Sequence, residues 1–390
     1  MQYRSFGRLD WKPSALGFGA MRLPTLGGDH ATIDEELATR MIRTAIDAGV
    51  NYVDTAWPYH NEQSERFLGR CLRGGYRSRV RLATKLPTWL VEKREDFDRF
   101  LDEQRRRLET ETIDFYLLHG LGRLQWTKLY DLGVLDWAER ARHEGRIGIV
   151  GFSFHDSLAA FRDIVDAYDW TLCQIQYNFM DTGFQAGTEG LRYAAKRGLG
   201  VVVMEPLRGG SLTRPAPRDV AALWKTASPQ RSQADWALQW VWNDPDVSLV
   251  LSGMTAMSHV EENLASAERS GVGTLRDDEL RLVDRVRDAY RALAPIPCTS
   301  CRYCQPCPQG VAIPRVFSFY NDAMAYGDLA RLSAQYANDR FMKPESRADR
   351  CVACGACEAA CPQGVEIIEW LKKAHATLMP EGRPETARSS

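Results

Sequence analysis

Eight short apolar segments recur along residues 1–270, separated by helical text, and each closes on small or polar residues. They read SALGFGAM, VNYVDT, VRLATK, DFYLLH, GIVGFS, LCQIQY, GVVVME and VSLVLS. Runs this rich in Val, Ile and Leu suit strands buried on both faces, as in a parallel sheet covered by helices. Stretches such as DEELATRMIRTAIDAG, REDFDRFLDEQRRRLE and PQRSQADWALQWVWND lie between them and repeat their apolar residues at helical spacing. Eight β/α units in series predict an α/β fold, a parallel (β/α)8 barrel of the TIM type, with active residues at strand C-terminal ends and in the loops that follow. A doubly wound open sheet is the alternative. It calls for a G-x-G-x-x-G turn after an early strand, and Gly17 and Gly19 are not followed by one.

The last quarter of the chain obeys a different rule. Eight of the ten cysteines fall in two runs, Cys298, Cys301, Cys304, Cys307 and Cys351, Cys354, Cys357, Cys361, each closing on Cys-Pro. The second run is C-x2-C-x2-C-x3-C-P, the bacterial ferredoxin pattern, and predicts an iron-sulfur site. Zinc is the rival, but structural zinc favours separated C-x2-C pairs over triplets followed by Cys-Pro. A disulfide framework is set aside because the chain opens MQYRSFGRLD without an apolar signal segment and exceeds the size of small secreted domains. The first run has two residues between Cys304 and Cys307 where a ferredoxin has three, which leaves one cluster or two open. The repeated text CPQGVAI and CPQGVEI favours two [4Fe-4S] clusters, each half lending its last cysteine to the other. Between the runs, FSFYNDAMAYGDLARLSAQYA reads as helix, so the module resembles the helical ferredoxins of respiratory dehydrogenases. Cys71 and Cys173 fall on a helix and a strand and read as small buried hydrophobes.

At 390 residues the chain has room for a large domain and a small one. The expected division is a barrel over 1–293, a mainly helical ferredoxin-like domain over 294–378, and a frayed polar tail over 379–390. Fifty basic residues balance 51 acidic ones, which argues against a nucleic-acid surface. No apolar run approaches ~20 residues, so no membrane span is expected, and reduced thiols point to a cytoplasmic setting.

The chemistry is expected at strand ends. Asp54 closes the second strand, Tyr59 follows in DTAWPYHNEQSERFLG, Lys85 closes the third and His119 the fourth. Together with the opening LGFGAMRLP, the Thr84-Lys85 pair and EEN at Glu261 to Asn263, these residues make the chain resemble the aldo-keto reductase family over roughly residues 1–270. The resemblance implies that Asp54, Tyr59, Lys85 and His119 form a catalytic tetrad with Tyr59 as general acid. A hydride arriving at a carbonyl carbon leaves charge on oxygen, which must take up a proton. A free tyrosine near pKa ~10 gives it slowly, so Lys85 is expected to lower that value, Asp54 to hold Lys85, and His119 to orient the carbonyl.

The same resemblance implies a nicotinamide dinucleotide across the barrel mouth, NADP ahead of NAD. Ser153 and Gln174 match carboxamide contacts; Pro206, Leu207, Arg208, Gly209 and Gly210 match a pyrophosphate loop; Glu262 and Asn263 match adenine contacts. Gly19, Ala20, Met21 and Gly253 line the expected path, beside Asp54. Phe154, Met204, Met254 and His259 depart from the family's usual residues. Trp57, Trp89, Phe154 and Phe179 each fall just past a strand end and are candidates for a substrate wall around a small carbonyl or alcohol compound. Trp236, Trp240 and Trp242 on one helix suit either a contact surface or barrel packing.

Hydride transfer needs no iron. The clusters therefore carry electrons to or from a redox partner protein, sense redox state, or staple a small domain. A second class of function, a nucleotide-binding regulatory or electron-transfer subunit docking a redox partner through its iron-sulfur domain, stands against the enzyme reading, and the intact tetrad favours the enzyme.

Overall fold

The computed structural model describes residues 1–298, 303–339, 341–361 and 363–379. The tail expected to fray lies, from residue 380 on, outside the described residues, as does Cys301. The strands are β1 (Leu16–Gly19), β2 (Tyr52–Asp54), β3 (Arg81–Leu86), β4 (Ile113–Leu121), β5 (Ile147–Phe154), β6 (Leu172–Gln176), β7 (Gly200–Met204) and β8 (Leu249–Ser252). Each pairs in parallel with its sequence neighbours, and β8 returns to β1 with Leu16 opposite Val250 and Phe18 opposite Ser252. The sheet is a closed eight-stranded barrel in chain order, not a doubly wound sheet.

Side chains alternate between two apolar shells because successive strand residues face opposite ways. Tyr52, Ala83, Phe115, Leu117, Leu172, Val202, Leu249 and Leu251 fill the inside, where Phe6 joins them. Phe6 meets Phe115 edge-on at 5.6 Å, and a Cβ on Gly200 would stand 2.5 Å from its ring, so the start of β7 must be bare there. The intervening residues, among them Val53, Leu82, Tyr116, Phe152, Cys173, Val203 and Val250, face the helices. The first of these, α1 (Glu35–Asp47), starts where the Asp34 carboxylate accepts the Leu37 N–H and buries Met41, Ile42 and Ala45. It is followed by α2 (Gln63–Cys71) and α3 (Glu95–Arg107). Trp242 belongs to the barrel's outer core and Trp240 lies on Tyr177 at 5.2 Å, so these two serve barrel packing, and Trp236 is buried. Cys71 and Cys173 are buried, and burial pushes the Cys71 thiol up to about 11.

By internal packing the chain forms two units, Met1–Gly210 with Arg231–Leu280, and Ser211–Gln230 with Arg281–Ser390. In the second unit the 211–230 excursion is held by Arg214 on Asp328 at 2.7 Å and by Arg331 on Ser211 at 2.7 Å. Its core joins helices Ile313–Tyr326, Leu329–Ala337 and Ile367–Leu378 through Phe317, Tyr320, Leu332, Tyr336 and Leu371. The single helix read between the cysteine runs is thus two, separated at Gly327, whose φ of 61° terminates the first. Among the described residues no helix is long and apolar enough to cross a membrane.

Candidate active site

The period of two that puts Tyr52 and Ala83 inside the barrel puts Asp54 and Lys85 there as well, one step closer to the C-terminal ends of their strands. Lys85 Nζ donates to Asp54 Oδ1 at 2.6 Å and to the Thr55 carbonyl at 2.8 Å. The ammonium also stands 5.2 Å from the centre of the Tyr59 ring. His119, on β4, presents its ring edge-on to Tyr59 at 6.1 Å and meets Trp89 at 5.2 Å. The four residues expected from the sequence are therefore brought together at one mouth.

Burial acts on all three ionisable partners of this cluster. It would lower the Lys85 pKa, but Asp54 and Tyr59 outweigh it and the ammonium is held above its usual value. Burial lifts the Asp54 carboxyl, against the pull of Lys85. For Tyr59 the outcome corrects the sequence expectation: burial raises the phenol above the ordinary tyrosine value, and Lys85 reduces that rise without reversing it. The neighbourhood of Tyr59 also includes Arg22, which pairs with Glu205 at 3.0 Å and which nothing in the sequence singled out.

A buried polar network lies behind Lys85. Thr84 points away from the barrel interior and its hydroxyl donates to Glu65 Oε1 at 2.6 Å; Gln104 Nε2 on α3 donates to the same oxygen at 2.6 Å and to the Lys85 carbonyl at 3.0 Å. Tyr116 donates to Gln104 Oε1 at 2.6 Å. Burial raises the Glu65 carboxyl, and its hydrogen bonds from Thr84 and Gln104 oppose that rise.

The residues matched to a dinucleotide lie along the ends of β1 and β5 to β8 and in the following loops. Gln174 Oε1 is buried without a partner among the described residues on the inward side of β6, where it can accept an amide N–H, which fits a carboxamide. Ser153 Oγ, opposite it on β5, accepts the Gly120 N–H at 2.7 Å and keeps its own proton to donate. After Met204, Glu205 takes φ of 57°, and Arg208, Gly209 and Gly210 take 50°, 66° and 90°, a tight turn closed by the Arg208 N–H on the Glu205 carbonyl at 3.0 Å and the Gly210 N–H on the Leu207 carbonyl at 3.0 Å. Between them lie Pro206 and Leu207, and Arg208 Nε reaches Asp181 Oδ2 at 3.2 Å. Gly19 ends β1 and Ala20 and Met21 follow it, with the Ala20 N–H donating to the Asp54 carbonyl at 2.8 Å. Gly253 follows β8; Met254 is buried; His259 Nδ1 accepts from the Thr255 N–H at 3.4 Å; Glu262 accepts from Ser232; and Asn263 donates to Ser252 Oγ at 3.0 Å.

Of the four aromatic candidates for a substrate wall, Trp89 alone stands half-exposed beside His119. Phe154 is buried on Phe161 at 5.0 Å, because it alternates with inward-facing Ser153 and so points to the helices. Phe179 packs on Trp240, and Trp57 lies against Phe100 on α3.

In the second unit, Cys304 and Cys307 from the first run and Cys351, Cys354 and Cys357 from the second line one cavity, with Tyr303, Val352, Ile368 and Leu371 in its wall. Among the described residues no three His, Cys, Asp or Glu side chains converge as a single-ion site. Five thiols spread round a volume fit a cluster better than one ion. Cys298 and Cys361 pack on the neighbouring core.

The sequence profile of the aldo/keto reductase family matches residues 15–288, and that of the 4Fe-4S dicluster domain matches residues 297–366. The chain is 28% identical to L-galactose dehydrogenase of Arabidopsis thaliana over 298 residues, covering 68% of this chain and 88% of that one. An aldo-keto reductase of Bacillus halodurans in its holo form superposes with a TM-score of 0.62 at 25% identity, over 73% of this chain and 96% of the other. An aldo-keto reductase of Klebsiella pneumoniae in complex with NADPH shares the fold, with a TM-score of 0.60 at 23% identity over 74% and 96% of the two chains. The chain belongs to the aldo/keto reductase family, as an NAD(P)H-dependent oxidoreductase whose barrel is followed by a ferredoxin-like 4Fe-4S domain.

Proposed function

We propose that this protein interconverts a carbonyl compound and its alcohol, with Tyr59 as the proton donor for reduction. The observation that carries this reading is the buried Lys85–Asp54 pair at 2.6 Å with Tyr59 and His119 beside it. Bound NAD(P)H supplies the hydride. Tyr59, kept protonated by burial, gives its hydroxyl proton to the substrate oxygen. Lys85 stabilises the phenolate left behind, and Asp54 keeps the ammonium charged and in place. His119 orients the oxygen, and Trp89 forms the exposed wall next to it. Gln174 and Ser153 hold the carboxamide, the 206–210 turn the pyrophosphate, and Glu262 and Asn263 the adenine. NADP is favoured over NAD by family.

Two [4Fe-4S] clusters are the reading that best suits the cysteines. Cys351, Cys354, Cys357 and Cys307 would hold one, and Cys298, Cys301, Cys304 and Cys361 the other; the cavity that Cys304 and Cys307 share with Cys351, Cys354 and Cys357 supports cysteines of both runs acting together. Such clusters supply one-electron capacity, and their thiolates suit a reducing, cytoplasmic compartment. The division expected from the sequence, at residues 293 and 294, differs from the packing units, in which 211–230 and 281–293 go with the second unit. One observation favours a second reading, exchange of electrons with a redox partner protein: Cys354 is exposed, and Tyr303 and Val352 on the same cavity are 70% and 61% exposed. Anaerobically purified protein, offered a panel of aldehydes and ketones with NADPH or NADH, is expected to consume the nicotinamide. Electron paramagnetic resonance of the clusters after nicotinamide addition separates the two readings: no reduction leaves them structural, and reduction makes them electron carriers. Protein that binds nicotinamide and turns over no carbonyl contradicts the enzyme reading.

A further inference from the structure

Tyr59 sits on a loop with an unfavourable backbone. The three residues after it, His60, Asn61 and Glu62, have φ of 53°, 48° and 67°. Residues with a Cβ seldom adopt such values, and a consecutive run persists only where the surroundings fix it. The surroundings here converge on one side chain of α3. Two residues before Tyr59, the Trp57 ring lies 3.6 Å from the Arg107 guanidinium carbon; three residues after Tyr59, Glu62 Oε2 accepts from Arg107 Nη2 at 2.7 Å. Arg107 Nη1 reaches Glu65 Oε2 at 3.4 Å, and the other oxygen of Glu65 holds Thr84, the neighbour of Lys85. Its Nε donates to Glu103 Oε1 at 2.7 Å, which fixes the guanidinium from its own helix. On the far side of the loop, His60 bonds the His30 carbonyl at 2.8 Å through Nδ1 and accepts the Leu23 N–H at 3.0 Å on Nε2.

We propose that Arg107 is a positioning residue for the reaction: one planar guanidinium clamps both flanks of the Tyr59 loop and, through Glu65 and Thr84, the Lys85 end of β3. The inference rests on the reading of Tyr59 as proton donor. Arg107 does not reach substrate. It acts by holding the phenol and the ammonium in fixed relation, and displacements of about 1 Å in such arrangements cost on the order of 10²-fold in rate. An ammonium cannot replace it fully, because stacking on Trp57 and forked donation to carboxylates both need the flat guanidinium.

The test compares the wild-type chain with Arg107→Met, Arg107→Lys and Glu62→Gln, using 4-nitrobenzaldehyde as probe, steady-state kinetics, and NADPH binding by fluorescence titration. Arg107→Met is expected to lower kcat about 10- to 100-fold while KM and the NADPH Kd stay within about twofold, with Arg107→Lys recovering part of the loss. Glu62→Gln takes the charge from one arm at a half-exposed carboxylate, leaving Arg107 a weaker neutral acceptor, and is expected to lower kcat by a smaller factor. Wild-type kcat in folded Arg107→Met overturns the proposal, as does a fall in kcat matched by an equal loss of NADPH affinity. If Arg107→Met does not fold, Glu62→Gln decides, and unchanged turnover there overturns it. A wild-type chain without carbonyl turnover contradicts the reading of Tyr59 itself, whereas an active wild type with equally active variants contradicts the clamp alone.

Discussion

Lys85 Nζ stands 2.6 Å from Asp54 Oδ1 inside the barrel, with the two side chains only 1% and 3% exposed. Each charge is tolerable there because the other is present. Removing one strands its partner in a poorly solvated site, a change that typically costs about 3–5 kcal/mol. Asp54→Ala is therefore expected to destabilise the protein by about that amount, read from denaturant unfolding of the barrel.

Lys85→Met acts on chemistry as well as stability. Burial already raises the Tyr59 pKa, with Lys85 as the leading opposing influence. Without the ammonium the phenol becomes a poorer acid and the phenolate left by proton transfer loses its counter-charge. Carbonyl reduction is expected to fall by about 10²- to 10⁴-fold in folded protein, measured as kcat at saturating NADPH.

The pH dependence follows from the same direction. Because the folded-state pKa of Tyr59 lies above the ordinary tyrosine value, the donor form persists through neutral and moderately alkaline pH. The Tyr59-dependent limb of the reduction rate is expected above pH ~10, as a fall with rising pH, while alcohol oxidation, which needs the phenolate, rises over the same range. Paired pH–rate profiles in the two directions check this.

Burial lowers the pKa of His60, whose neutral ring accepts the Leu23 N–H on Nε2. Below pH ~6.5 the unfolded chain takes up a proton that the folded chain resists, so this residue's contribution to stability is present at neutral pH and lost as pH falls toward the depressed folded value. His60→Gln is expected to be less stable than wild type at pH 7, with the gap narrowing at pH 5. Thermal melts at the two pH values give the comparison.

Much of this was legible in the sequence. The eight strands appear where the apolar runs lie, and Asp54, Lys85 and His119 converge because each closes a strand of a barrel that turns such residues to one mouth. Phe154 stands apart from the substrate wall for a reason also present in the sequence: strand alternation sends it outward when Ser153 points in. Other features had no local signal. Gln104 and Arg107 lie in the charged text DEQRRRLE, and only α3 folding onto β3 shows which of its polar residues are buried. The direction of the Tyr59 shift depends on how fully the ring is enclosed, which no spacing of residues reports.

The cysteine cavity gives a prediction of its own. Cys304, Cys307, Cys351 and Cys357 pack on the core that joins helices Ile313–Tyr326 and Ile367–Leu378, so iron bound there would tie both runs to it. Anaerobic chelation is expected to speed tryptic cleavage beyond residue 296 while fragments spanning the barrel persist. Equal cleavage before and after iron removal contradicts a structural contribution.

The chemistry turns on one hydroxyl. Tyr59→Phe keeps the ring beside Lys85 and His119 and removes only the proton donor, so the measurement is turnover of an aldehyde with NADPH alongside NADPH binding by fluorescence. Carbonyl reduction lost by about 10²-fold or more with binding retained is the predicted result; near-normal turnover in the variant would contradict it.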